Sequence, residues 1–344
     1  MRLIKPYALK KNDAIGIFTP AWPGHTVLRE KYEIGLNTLR KLGFEVKEGS
    51  LTAQNTHQGY RSGSPEERAR EFMELIKDPQ IKCIISVIGG LNSSSIIPYL
   101  NFDVIQENPK IICGYSDVNA LQLAILKMTG VCCFYGPAVI PSFGEPGGGF
   151  KYTTDCFLRS ISCTDKGSYT LQPPENWSNH FIDATQSGWK EVHRIYQPNT
   201  GWITHFSGIV EAPLLPVNLD TLLAIAGTKY FPDIENCILM IEEMHAPLDN
   251  FERNLSHLKL LGVFDKIRGL IISKTESIDK KGAGFSDTEL LLEILGKNIN
   301  YPVISNFDCG HTHPMITLQQ MIPVLLNAQI GKKPIIEVLE PMVI

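Results

Sequence analysis

Short apolar runs alternate with helix-period segments through the first part of the chain, and that rhythm restricts the fold more than any other feature. Residues 13–20 read as a buried strand ending in a loop, 27–42 as an amphipathic helix stopped by Gly43, and 44–47 as an alternating strand. Ser64-Pro65-Glu66-Glu67 opens a second helix that runs to Ile76. Ser64 can cap it, Pro65 fits the first helical position, and Glu67 completes a capping box. Residues 81–88 and 111–113 are further apolar strands. This β-α-β-α order predicts an α/β domain with a mostly parallel, doubly wound sheet. Ligands of such sheets bind beyond the C-terminal strand ends, where Gly89-Gly90 and Ser116 fall in this reading.

A chain of 344 residues has room for two domains and a large core. Residues 145–200 differ from what precedes them, with the loop Glu145-Pro146-Gly147-Gly148-Gly149 and the irregular Pro173-Pro174-Glu175-Asn176-Trp177. We divide the chain into a first domain over 1–165, a linker over 166–200 and a second domain over 201–344. The second contains helices over 219–226 and 251–261, and strands over 237–242, 269–273, 303–306 and 335–339.

Composition narrows the function. Hydrophobic residues make up 43% and charged residues 20%, as in ordinary globular proteins. The formal net charge of −4, with no cluster of Lys or Arg, argues against nucleic acid or a polybasic membrane contact. The start, Met1-Arg2-Leu3-Ile4-Lys5-Pro6, has no signal-peptide pattern, and no apolar run is long enough to span a bilayer. The eight cysteines are scattered and read as buried, reduced thiols, so a cytoplasmic setting is expected.

The junction Lys110-Ile111-Ile112-Cys113-Gly114-Tyr115-Ser116-Asp117-Val118-Asn119 carries the strongest chemical signal. An apolar run enters a Gly-x-Ser-Asp turn and a helical pattern leaves it. That geometry lifts Ser116 to the tip of a bend and sets the Asp117 N–H at a helix N-terminus, where it can stabilise an oxyanion. By itself the stretch fits an ordinary strand–turn–helix with Ser116 as N-cap better, because Gly-x-Ser-Asp is common.

An activated serine needs a base, and the base an orienting carboxylate. The apolar run Ile238-Leu239-Met240-Ile241 ends in Glu242-Glu243, which fits either a cleft carboxylate or a solvated acidic turn. The loop Asn306-Phe307-Asp308-Cys309-Gly310-His311-Thr312-His313-Pro314 offers a histidine as general base. Asp308, Cys309, His311 and His313 also invite a metal reading, but they crowd into six positions with no second cluster at ligand spacing, so no metal is assigned. The order Ser116, Glu242, His311 is that of α/β-hydrolases, although Val118 stands where their elbow has its second glycine.

Motifs over nearly the whole length then carry a specific resemblance. They include Thr19-Pro20-Ala21-Trp22-Pro23, Tyr60-Arg61-Ser62-Gly63-Ser64-Pro65-Glu66-Glu67-Arg68-Ala69, Gly89-Gly90-Leu91-Asn92-Ser93, Gly114-Tyr115-Ser116-Asp117, Phe134-Tyr135-Gly136-Pro137, Gly201-Trp202, Gly227-Thr228-Lys229-Tyr230-Phe231-Pro232 and Gly310-His311-Thr312. In shared order and spacing the chain resembles the serine peptidase family of murein LD-carboxypeptidases and microcin C7 self-immunity proteins, and the microcin-immunity branch more closely. The resemblance implies a Rossmann-like N-terminal domain, a smaller β-rich C-terminal domain, an active site between them and a homodimer. It implies a triad of Ser116, His311 and Glu242, the last chosen over Glu243 because it directly follows the apolar run. It implies an oxyanion hole from Asp117 N–H and Gly89-Gly90. Two departures stand out: Pro216-Val217 replaces the usual Gly-Gly before Asn218-Leu219, and His313 replaces a common Asp.

The resulting expectation is a hydrolase without metal or organic cofactor that cleaves an amide bond through an acyl-enzyme. Its substrate is a small molecule or peptide: a peptidyl- or aminoacyl-nucleotide, or a muropeptide. Trp202 and Asn92 are the expected substrate-binding residues, Trp202 as a stacking platform or else a packed aromatic at a domain junction. The competing class is a non-catalytic binding protein of the same fold.

Overall fold

Every apolar run of the first part becomes a strand with both faces covered. In the computed structural model, which describes residues 2–244, 247–276 and 279–344, Ile15 and Ile17 enter one core layer while Ala14 and Phe18 enter the other. Alternate side chains point to opposite faces, so a strand buried on both sides must be apolar throughout. The first sheet runs in spatial order Leu318–Gln319, Phe134–Tyr135, Ile111–Gly114, Ile81–Ser86, Ala14–Phe18, Glu45–Glu48. All neighbours are parallel except the first pair.

Helix Pro65–Lys77 starts with the expected capping box on Ser64 and Glu67. The helix expected over 27–42 is two pieces, Gly24–Val27 and Arg29–Lys41, because Leu28 leaves helical dihedrals at φ −114°, ψ 46°. Beyond Leu42, Gly43 turns the chain at φ +95°. The strand order reverses between Ala14–Phe18 and Ile81–Ser86, so the loops leaving these strands part and open a crevice, the usual ligand position in doubly wound sheets.

The second sheet has the order Tyr169–Thr170, Ile335–Val338, Ile322–Ala328, Gly208–Asn218, Ile238–Glu242, Gly269–Ser273, Val303–Phe307, Ile203–Phe206. Its run from Gly208–Asn218 to Val303–Phe307 is parallel, with helices Leu219–Ala224 and Leu248–Leu260 in the connections. This half is therefore mixed α/β, with an eight-stranded sheet at its centre. The stretch 166–200 is more than a tether. Tyr169–Thr170 extends the second sheet, and Asn176–Trp177 pairs with Gln197–Pro198. Among the described residues no helix is long and apolar enough to cross a membrane.

Two features of this topology place a site. The register of the second sheet sets Asn218 beside Glu242 at adjacent strand ends. The chain then runs from Val303–Phe307 in the second sheet to Leu318–Gln319 in the first, so the loop bearing His311 spans the seam between the sheets.

Candidate active site

Strand Ile111–Gly114 delivers Tyr115 extended, at φ −145° and ψ −178°, and Ser116 follows at φ +65°. Positive φ in a residue with a Cβ costs on the order of 1–3 kcal/mol and persists only where the surroundings impose it. Here they do. The Ser116 N–H donates to the Tyr135 hydroxyl at 3.3 Å, and the Gly114 carbonyl accepts from Gln122 Nε2 at 2.9 Å and from the Gly136 N–H at 3.2 Å. Ser116 makes no capping bond: one 3-10 turn, Ser116–Val118, leads into helix Asn119–Thr129. The bend is thus a strained elbow rather than an ordinary cap.

Glu242 lies buried at the end of its strand and makes three contacts. Its Oε2 meets His311 Nδ1 at 2.6 Å, and its Oε1 accepts from Asn218 Nδ2 at 2.8 Å and from the Tyr135 hydroxyl. Tyr135 therefore joins the backbone of Ser116 to the carboxylate that holds His311. Gly310 allows this approach: at φ +147°, a Cβ there would stand 2.7 Å from Glu242 Oε2. Burial raises a carboxyl pKa, but His311, Tyr135 and Asn218 outweigh it and hold Glu242 below the ordinary value. Burial likewise opposes a charged ring on His311, but the Glu242 charge wins and His311 titrates above its ordinary value. Tyr115 packs edge-on against the ring at 4.9 Å.

Glu243 takes a different path. Its Oε1 accepts from its neighbour Met244 N–H at 2.9 Å, its side chain lines the cavity, and burial pushes its carboxyl up to about 8. Glu242, not Glu243, holds His311.

The Gly89-Gly90 turn stands against the elbow. A Cβ on Gly89 would lie 3.1 Å from Ser116 Oγ and 3.3 Å from Asp117 N. Asp117 Oδ2 accepts from the N–H groups of Asn92 at 3.0 Å and Ser93 at 2.9 Å, tying elbow and turn together. Ser116, His311, Gly89, Gly90 and Asp117 all line one cavity of about 450 Å³ at the crevice. Ser116 and His311 share no hydrogen bond in this structure, and such bonds often tighten only with substrate present.

The rest of the wall is polar on one side. Lys31 and Arg194 share Glu145 at 2.8 and 3.0 Å, and His313 stacks on Phe150 at 4.7 Å. Burial keeps His313 neutral, with its pKa well below the ordinary value. Among the described residues no group of three or more His, Cys, Asp or Glu is placed to hold a metal ion. Asp308 pairs with Lys274.

Residues 15–136 match the LD-carboxypeptidase N-terminal domain and residues 211–331 the LD-carboxypeptidase C-terminal domain. The chain is 41% identical over 312 residues to the microcin C7 self-immunity protein MccF of Escherichia coli, covering 90% of this chain and 89% of MccF. The chain belongs to the LD-carboxypeptidase family. As a family member it is a hydrolase of the carboxypeptidase class. MccF structures in complex with aspartyl sulfamoyl adenosine and with glutamyl sulfamoyl guanosine each superpose at a TM-score of 0.92 with 37% identity. Both cover 99% of this chain, and 100% and 99% of theirs. An MccF-like protein from Bacillus anthracis str. Ames superposes at 0.86 with 29% identity, covering 98% of this chain and 99% of its own.

Two expected substrate-binding residues lie off the cavity wall. Trp202 is buried against Phe307, outside the cavity wall, and its indole N–H donates to Asp308 Oδ2 at 2.9 Å. Asn199 Nδ2 and Lys274 Nζ meet the other oxygen of Asp308. An indole so enclosed offers no face to a ligand; it anchors the start of the loop that carries His311. Trp202→Ala is expected to cost about 3–5 kcal/mol of stability through the cavity it leaves. Chemical denaturation checks this, and an unchanged midpoint with a KM defect alone would return Trp202 to a binding role. Asn92 is not on the cavity wall either; its Oδ1 accepts from Arg68 at 2.9 Å. Tyr135 and Asn218, the other partners of Glu242, were not foreseen from the sequence. Asn218 looks like a helix cap, which it also is, accepting from Thr221 N–H at 3.0 Å.

Proposed function

We propose that the protein cleaves an amide bond by serine catalysis, with an aminoacyl- or peptidyl-nucleotide as substrate. One observation carries the reading: a strained Ser116 faces the same cavity as a histidine whose far nitrogen is held by a buried glutamate. Glu242 accepts the Nδ1 proton of His311 and leaves Nε2 free as the base. His311 takes the proton of Ser116 as Oγ attacks the carbonyl carbon. The N–H of Asp117 and the Gly89-Gly90 turn receive the oxyanion. His311 then protonates the leaving nitrogen as the amide bond breaks, and water hydrolyses the ester on Ser116.

The choice of a nucleotide follows the likeness to MccF, whose structures hold aminoacyl sulfamoyl nucleosides. The aromatic rings that line the cavity are Trp22, Tyr115 and Phe181, so a base would stack on one of these rather than on Trp202. Incubation with an aminoacyl-sulfamoyl adenylate and with a muropeptide tetrapeptide, products identified by mass, tests the reading. Cleavage of the first supports it. Release of D-alanine from the second alone would assign a murein substrate, and cleavage of neither would favour a binding protein. The same reading carries a cytoplasmic homodimer, which light scattering tests for its oligomeric part.

Acid should silence the enzyme by protonating His311. Because Glu242 raises His311, the acid limb of kcat/KM is expected above the ordinary histidine pKa of about 6.5. In Glu242→Gln the limb should move to lower pH, because burial opposes the charged ring once the Glu242 charge is gone. A limb that stays in place would show that another group titrates.

A further inference from the structure

Among the described residues Arg68 is the largest fully enclosed side chain, and its hydrogen-bond partners are oxygens of neutral groups. Its Nε donates to the Gly63 carbonyl at 2.9 Å and its Nη2 to Ser95 Oγ at 3.0 Å. Its Nη1 reaches the Pro20 carbonyl, the Asn92 carbonyl at 3.2 Å and Asn92 Oδ1 at 2.9 Å. Burying a guanidinium costs several kcal/mol, which a packing role filled by Leu or Met would avoid. The fork geometry of Arg can instead fix several loops at once.

The loops it joins bracket the Gly89-Gly90 turn. On the outer side, the Trp22 N–H donates to the Gly89 carbonyl at 3.2 Å, and a Cβ on Gly90 would stand 2.7 Å from Ala21 Cβ. In a trans peptide C=O and N–H point in opposite senses, so fixing the Gly89 carbonyl fixes the aim of the Gly90 N–H. On the far side, Asn92 donates its N–H to the Asp117 carboxylate beside Ser116. The guanidinium holds Pro20 before the turn and Asn92 after it.

We propose that Arg68 is a positioning residue that sets the Gly89-Gly90 turn against Ser116, and so aims the oxyanion donors without touching substrate. This rests on the serine-hydrolase reading. Arg68 is not on the cavity wall, so its loss should act on kcat rather than on binding. A displacement of about 1 Å in such donors can cost on the order of 100-fold.

The test is steady-state kinetics on an aminoacyl-sulfamoyl adenylate, with the rate of fluorophosphonate labelling of Ser116 measured in parallel. Arg68→Lys is expected to lower kcat and the labelling rate by about 100-fold, with KM within about threefold. In Arg68→Ala, added methylguanidine should restore at least tenfold of kcat at concentrations that leave the melting curve unchanged. Asn92→Ala, which removes one acceptor and keeps the buried charge, should lose about tenfold in kcat and decides the matter if the Arg68 variants do not fold. Wild-type kcat in Arg68→Lys or Asn92→Ala, or a loss confined to KM, would overturn the proposal while leaving the serine mechanism intact. A wild-type protein that neither turns over nor labels at Ser116 would instead overturn the underlying reading.

Discussion

Ser116→Ala is expected to lose kcat by roughly 10⁴- to 10⁶-fold, the range seen when a serine nucleophile is removed from a working triad. The hydroxyl is the nucleophile that the elbow presents to the cavity, and the φ of +65° that presents it has no capping duty to explain it. The substitution should leave the fold intact, because an Ala at this position keeps the Cβ and the N–H donated to Tyr135. Ser116→Ala/His311→Ala should be no slower than Ser116→Ala alone, since residues acting as one unit are not additive. A single variant with near-full turnover, or a double variant that is slower by the product of the two, would refute the assignment.

Glu242→Gln should be nearly as damaging, with a loss on the order of 10⁴-fold. The reason lies in the donors around it. Asn218 Nδ2 and the Tyr135 hydroxyl both donate to Oε1, so a glutamine must turn its carbonyl oxygen to them and its NH₂ to His311 Nδ1. Nδ1 then has to accept, the ring proton moves to Nε2, and that tautomer cannot take the proton of Ser116. Kinetics together with the nitrogen resonances of His311 check the argument. A loss below tenfold, or an unchanged tautomer, would contradict it.

The strands and helices of the first sheet were legible because burial on both faces leaves long apolar runs, and because the cap at Ser64 has a local chemical signature. The break at Leu28 was not, since an apolar residue on the buried side of a helical pattern gives no sign that its backbone will leave the helix. Leu318–Gln319 was invisible for another reason: a two-residue strand has no period, and only the whole fold brings it to Phe134–Tyr135.

The site divides in the same way. The elbow is local, so residues 110–119 display it directly, although only the dihedral of Ser116 separates it from a capped turn. The meeting of Glu242 with His311 spans two elements far apart in the chain, and family likeness pointed to it where spacing could not. Tyr135 sits in an apolar stretch and looks like core. Arg68 sits in an amphipathic helix and looks like a surface charge, yet it is enclosed. Trp202 fails differently: an indole serves equally as a platform or a buried donor, and the carboxylate that decides, Asp308, lies elsewhere in the sequence.

The central claim is that Ser116 Oγ is the attacking nucleophile. Mass spectrometry of the protein after brief incubation with a fluorophosphonate, with proteolytic mapping of the adduct, tests this most directly. The account predicts one adduct, on the peptide containing Ser116, absent in Ser116→Ala and much slower to form in His311→Ala. Turnover of substrate with no adduct on Ser116, or an adduct that persists in Ser116→Ala, would contradict it.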